Sequence, residues 1–170
     1  MSFVPAASKI LSISDLRKWR ENIRPDAGPV VATNGCFDLL HPGHLQILEA
    51  ARAIGSALIV GVTCDLHVRR LKGEDRPLFN EHDRAATMGA LGCVSFVTVF
   101  HEPDATEFLA AAAPHIYVKG GDYTLNSINQ RERQLLERAK AEIRFLPYAP
   151  AYSTTAIIKK MQSTSWTVER

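Results

Sequence analysis

The sequence predicts a three-layer α/β domain, a Rossmann-like parallel sheet with helices on both faces. Two observations carry that prediction. Short apolar runs recur along the chain, at Val30-Val31-Ala32, Ala57 to Val62, Val94 to Phe100, Ile116-Tyr117-Val118 and Ile143 to Leu146, and helical stretches separate each from the next. The runs are continuous rather than alternating, the pattern of strands buried on both faces and joined by right-handed crossovers. With 170 residues, 46% of them hydrophobic, the chain suffices for one such domain without a disulfide or structural metal.

The elements follow in order. Residues Ile13 to Ile23 place Ile13, Leu16, Trp19 and Ile23 on one side, with Ser12 or Ser14 as cap, and read as a leading helix. Arg24 to Pro29 holds two prolines and a glycine, a turn that delivers the chain into the first strand at Val30. Helices are then expected at Leu45 to Ile54, stopping at Gly55, and at Glu81 to Leu91, Asp104 to Ala113 and Asn129 to Lys140. A closing helix starts from Thr155. The division expected is a leading helix and linker over 1–28, the domain proper over 29–162, and a tail over 163–170 without a continuing apolar period.

Composition excludes several classes of function. Twenty Lys and Arg against eighteen Asp and Glu leave a net charge of +2, no field for polymeric nucleic acid or an acidic membrane, so any anion site is local. No apolar run approaches the roughly 18 residues of a membrane-spanning helix. Cys36, Cys64 and Cys93 are an odd set without CxxC spacing, which fits reduced thiols in a cytoplasmic protein. Cys36, His41 and His44 read as a zinc site would lack a fourth ligand, so no metal site is expected. His67, His82, His101 and His115 belong to no constellation, and Cys64, Cys93, Phe96, Phe100 and Phe108 read as packing.

In an open parallel sheet, ligands bind beyond the carboxyl ends of the strands, so the loop after the first strand is searched first. It reads Thr33-Asn34-Gly35-Cys36-Phe37-Asp38-Leu39-Leu40-His41-Pro42-Gly43-His44. Pro42 suits a first helical turn, and Gly43 removes a side chain where phosphates would approach. His41 and His44, three apart, fall on one side of a helix N-terminus, beside open N–H groups and the positive end of the dipole. Neither the G-x-G-x-x-G fingerprint nor a Walker loop is present, which removes the usual support for hydride transfer and P-loop hydrolysis.

His41-Pro42-Gly43-His44, inside the context Gly35-x-Phe37-Asp38, resembles the H-x-G-H signature of the nucleotidyltransferase (cytidylyltransferase-like) superfamily. Three more segments are similar to its later motifs: Leu71 to Pro77 with Glu81 to Arg84, Lys119-Gly120-Gly121-Asp122-Tyr123, and Tyr152 to Lys160. The resemblance runs from about Lys9 to Met161 and is greatest to the sugar-nucleotide branch, adenylyltransferases that convert heptose 1-phosphate to ADP-heptose, freestanding or as half of a bifunctional protein. Two departures stand out. Gly92-Cys93-Val94-Ser95-Phe96 replaces the Arg-Tyr-Val-Asp-Glu pattern of the cytidylyl branch, and Ile158 stands where many members place a basic residue, with Lys159 next to it.

The resemblance implies transfer of AMP from ATP, carried with Mg2+, to a sugar 1-phosphate, with pyrophosphate leaving and no covalent nucleophile. It implies His41, His44 and Lys72 as catalytic residues. Asn34, Gly35, Cys36, Phe37, Gly43, Arg76, Arg84, Ser153, Thr154 and Thr155 would hold the nucleotide and its phosphates; Asp38, Lys119, Gly120 and Asp122 would meet the acceptor or nucleoside. The serine and threonines offer hydroxyls and N–H groups at a second helix start. Asp38 would bind a sugar hydroxyl, a cation or a basic side chain. A homodimer is implied as well. Two other readings stay open: a cytidylyltransferase acting on glycerol 3-phosphate or a similar phosphate, and a non-catalytic nucleotide-binding module.

Overall fold

A computed structural model describes residues 4–24, 26–121, 123–147 and 153–163. Five strands, β1 (Val30–Gly35), β2 (Ala57–Thr63), β3 (Phe96–Phe100), β4 (Ile116–Gly120) and β5 (Glu142–Leu146), form one sheet in the order β3-β2-β1-β4-β5. Every pairing is parallel; β1 and β2 run in register from Val30 against Ala57 to Gly35 against Val62. The helices are α1 (Ile13–Asn22), α2 (Pro42–Ala53), α3 (Asp65–Lys72), α4 (Glu81–Ala90), α5 (Thr106–Ala112), α6 (Gln130–Arg138) and α7 (Thr154–Ser163).

The strands alternate their side chains between two cores, as a pleat requires. Val30, Ala32, Ile59 and Tyr117 join Leu16, Phe108, Leu109 and Leu136 on the face covered by α1, α5 and α6. Val31, Leu58, Val60, Val62 and Val118 join Leu48, Ala51, Ala85 and Met88 beneath α2 and α4. The leading helix is thus tied into the first core: Leu16 is fully buried, Trp19 packs 5.0 Å from Phe96, and the Ser12 side chain caps α1 by accepting from Asp15 N–H. Lys9 closes the other layer, its Nζ donating to the carbonyls of Leu91 and Val94 at the end of α4.

Several expectations are corrected. β1 continues past Ala32 through Thr33 and Asn34 to Gly35, because Thr33 is buried and pairs with Val60. α2 begins ahead of the apolar run at Leu45, with Pro42 in its first turn, as its suitability for that position implies, and His41 as N-cap. β3 starts at Phe96; before it, Ser95 exchanges two hydrogen bonds with Leu58, N–H to carbonyl and hydroxyl from N–H. The missing aspartate at this position is therefore replaced by a brace between β2 and β3. Helix α3 was not expected at all, since Leu66 and Leu71 lie on its exposed side and only His67 and Val68 are buried. A short 3-10 turn at Ala6–Lys9 precedes α1.

Candidate active site

The last residues of β1 to β4, Gly35, Thr63, Phe100 and Gly120, open onto one cleft of about 550 Å³. Thr63 donates its hydroxyl to Gly35 O at 3.2 Å and ties two of these strand ends together. The chain then turns at Phe37, whose φ of 46° is left-handed. A bulky residue held there costs on the order of 1–2 kcal/mol and persists only where its surroundings fix it. Here its ring stands edge-on to His44, 5.5 Å between centroids.

His41 and His44 are brought together as the helical spacing predicts. Their rings stack at 3.8 Å and 24° at the mouth of α2. Burial lowers the pKa of His41; burial first, and then the neighbouring His41, lower that of His44 to about 4. Both rings are therefore neutral near pH 7, each with one N–H to give. His44 Nδ1 is buried with no hydrogen-bond partner among the described residues.

Around the histidines, the cleft wall includes Asn34, Cys36, Gly43, Lys72, Arg76 and Lys119, together with Ser153, Thr154 and Thr155 at the start of α7. Ser153 caps α7 by accepting from Ala156 N–H, while Thr154 donates its hydroxyl to Leu39 O and docks the helix on the loop before α2. Two helix N-termini thus face one space, each with first-turn N–H groups that a helix leaves unpaired internally. Gly120 belongs to this wall for a steric reason: a Cβ there would lie 1.9 Å from Ile47 Cδ1 on α2. Burial raises the Cys36 thiol pKa, so it is a thiol and not a nucleophilic thiolate. Of the residues in the departure at the closing helix, Ile158 is half-buried and Lys159 exposed.

Two expected ligand contacts are corrected. Arg84 does not line the cleft: it is 1% exposed and donates to Phe79 O, Cys36 O and Asp65 Oδ1, so its guanidinium braces the loop from behind. Asp38 does border the cleft, yet its carboxylate is filled. It takes Arg76 side-on through Nε and Nη2, and accepts from Leu78 and Phe79 N–H. That leaves no lone pair for a sugar hydroxyl; of the partners expected for Asp38 it is the basic side chain, Arg76, that the carboxylate holds. Asp122 lies outside the described residues.

The sequence reading missed Tyr117 and Glu132, which complete a polar set with the expected Asn34 and Lys119 on the far wall. Tyr117, fully buried, donates to Asn34 Oδ1 at 2.6 Å, and the same oxygen accepts from Lys119 Nζ at 2.8 Å. Glu132 accepts from Ala105 N–H and faces the Tyr117 hydroxyl at 3.1 Å. Burial lowers the pKa of Lys119, with Glu132 opposing, and its ammonium sits between the rings of Tyr117 and Tyr123. Among the described residues no group of three His, Cys, Asp or Glu could hold a metal ion, and no helix is long and apolar enough to cross a membrane.

A 3-2-1-4-5 parallel sheet with a polar cleft at its carboxyl ends, matched by the family profile, defines the class, a Rossmann-like nucleotidyltransferase domain. The sequence profile described as cytidylyltransferase-like matches residues 32–160, and the chain belongs to that family. Similar proteins include the bifunctional protein HldE of Pelobacter propionicus, 45% identical over 132 residues, 78% of this chain and 27% of that one. The bifunctional protein HldE of Helicobacter pylori strain G27 is 44% identical over 152 residues, 89% of this chain and 32% of that one. The chain thus spans about a third or less of the curated relatives it matches. Among solved structures, the lipopolysaccharide core biosynthesis protein from Thermoplasma volcanium superimposes with a TM-score of 0.59 at 25% identity, covering 72% of this chain and 97% of that one.

Proposed function

We propose that this chain transfers AMP from ATP to a sugar 1-phosphate, heptose 1-phosphate, to give ADP-heptose and pyrophosphate. One observation carries the reading: the stacked imidazoles at the mouth of α2 share a single cleft with Lys72, Arg76, Lys119 and the start of α7. That arrangement suits a triphosphate gripped between two helix mouths. The similarity to HldE proteins and to a lipopolysaccharide core biosynthesis protein favours a phosphorylated sugar as acceptor.

In this reading an acceptor phosphate oxygen attacks the α-phosphorus, and the bond to the bridging oxygen breaks with its electron pair leaving on pyrophosphate. The protein orients and stabilises charge. His41 and His44 donate to the α-phosphate and bridging oxygens as negative charge shifts onto them. Lys72 and Arg76 neutralise the triphosphate and the incoming phosphate, with Asp38 holding Arg76 in its direction. Ser153, Thr154 and Thr155 take the β- and γ-phosphates. Gly43 lets the backbone approach, while Gly35 and Gly120 leave room for Phe37 and Ile47. ATP enters as its magnesium complex, and the metal's part is to offset triphosphate charge; Asp38 is no ligand for it, since both its oxygens are taken. The family resemblance supports a homodimer as the acting form.

The test is pyrophosphate release with ATP or CTP as donor, against heptose 1-phosphate or glycerol 3-phosphate. ATP with heptose 1-phosphate is expected to be the productive pair, and His41→Ala or His44→Ala to lose about 10²–10³ in kcat with the fold retained. Unchanged turnover in both variants rejects these roles. Tight ATP binding without turnover on any acceptor favours a nucleotide-binding module.

A further inference from the structure

Tyr117 lies behind the cleft wall and touches no ligand space, yet it makes a hydrogen bond of 2.6 Å to a cleft residue. Asn34 Oδ1 accepts that bond and another from the Lys119 ammonium. An amide oxygen has two lone pairs, and both are now used. Lys119 also settles which end of the amide points where, because an ammonium donor cannot face the NH2 end. The Asn34 NH2 is consequently the free end; it has no hydrogen-bond partner among the described residues, and Asn34 lines the cleft. The phenol is held by its wholly buried ring; its single proton goes to the nearer acceptor, Asn34 Oδ1, and Glu132 Oε2, 3.1 Å from the hydroxyl, is the more distant competing acceptor.

We propose that Tyr117 is a positioning residue for nucleotide transfer: it fixes the Asn34 amide so that its NH2 is offered to the bound nucleotide. The inference rests on the proposed nucleotide chemistry of this cleft and adds to it a residue outside the cleft. Without the phenol hydroxyl the amide keeps only Lys119 as an anchor, and Lys119 is itself needed in the cleft. A preorganised donor then becomes one that must be ordered at each binding event.

Tyr117→Phe deletes one oxygen and leaves the ring in the core. The measurement is a double-mutant cycle of Tyr117→Phe and Asn34→Ala, read both as the Kd for MgATP by calorimetry and as kcat/KM for pyrophosphate release, with the thermal midpoint followed in each protein. Tyr117→Phe is expected to weaken MgATP binding by about tenfold, the scale of one net hydrogen bond. Once Asn34→Ala is present, adding Tyr117→Phe should change nothing further, because the phenol acts through that amide. Additive losses in the double variant, or MgATP affinity unchanged by Tyr117→Phe, overturn the proposal. If Tyr117→Phe does not fold, the wild-type chain carries the test by NMR of the Asn34 side-chain NH2: signals that shift when MgATP binds support the proposal, and signals that MgATP leaves unmoved overturn it. Coupling seen in Kd without pyrophosphate release upholds Tyr117 and defeats the transferase reading. Normal turnover with no coupling does the reverse, and a wild-type chain that binds no MgATP defeats both.

Discussion

His44 sets the pH dependence of this site. Its folded pKa, about 4, lies below the usual 6.5, so the unfolded chain binds more protons between those values. Stability contributed by the neutral ring is complete above pH 6.5 and is lost as pH falls towards 4, by on the order of 2–3 kcal/mol. Urea denaturation at pH 7 and pH 4.5 checks this: wild type should lose more stability on acidification than His44→Gln, and equal losses would refute the assignment. A triphosphate beside the ring favours the imidazolium and lifts the pKa, so ATP binding near pH 6 should take up protons. Calorimetry in buffers of different ionisation enthalpy reads that uptake directly; a buffer-independent enthalpy would place the phosphates elsewhere. The pair itself was legible, because an i, i+3 spacing around Pro42 puts two side chains on one side of a helix mouth; their stacking needed the fold. Arg84 was not. A basic residue in a charged stretch reads the same whether it faces a ligand or, as here, is buried against two carbonyls and Asp65.

At the scale of the element, α2 and β4 meet where Gly120 leaves room for Ile47. Gly120→Ala would force α2 and its histidines outward, at about 1–3 kcal/mol for an overpacked contact. A lower denaturation midpoint with lower kcat is expected, and Ile47→Ala in the same chain should restore much of both. Arg84 on α4 and Lys72 at the end of α3 form a second contrast. Removing Arg84 as Arg84→Met strands Asp65 and two carbonyls, and should cost about 3–5 kcal/mol in urea denaturation. Lys72→Ala should leave that midpoint almost unmoved and strike turnover instead. Helix α3 escaped the sequence reading for a physical reason. Leu66 and Leu71, the residues that would signal an apolar face, are exposed at 50% and 64%. The strands were readable because burial on both faces leaves continuous apolar runs, and the end of β1 was not, because the polar Thr33 and Asn34 stay in the ladder, Asn34 facing the cleft.

For the whole molecule, strand order decides where chemistry is possible. With β1 central and the order reversing between its neighbours β2 and β4, the loops that follow β1 and β4 open at the switch point. Residues as far apart in sequence as Asn34, Lys72, Lys119 and Thr154 thereby share one cleft. Sequence motifs located that cleft; the contacts crossing it from behind, Tyr117 to Asn34 and Asp38 to Arg76, join positions whose spacing carries no signal and needed the fold to be seen. The central claim is that the His41–His44 stack receives the phosphorus at which bonds exchange. A crystal structure with an ATP analogue uncleavable between the α- and β-phosphates, and heptose 1-phosphate beside it, tests this most directly. The account predicts ring nitrogens of His41 and His44 at hydrogen-bond distance, about 2.7–3.1 Å, from oxygens on the α-phosphorus. An α-phosphate seated away from both rings, with the acceptor phosphate in line for attack there, would contradict it.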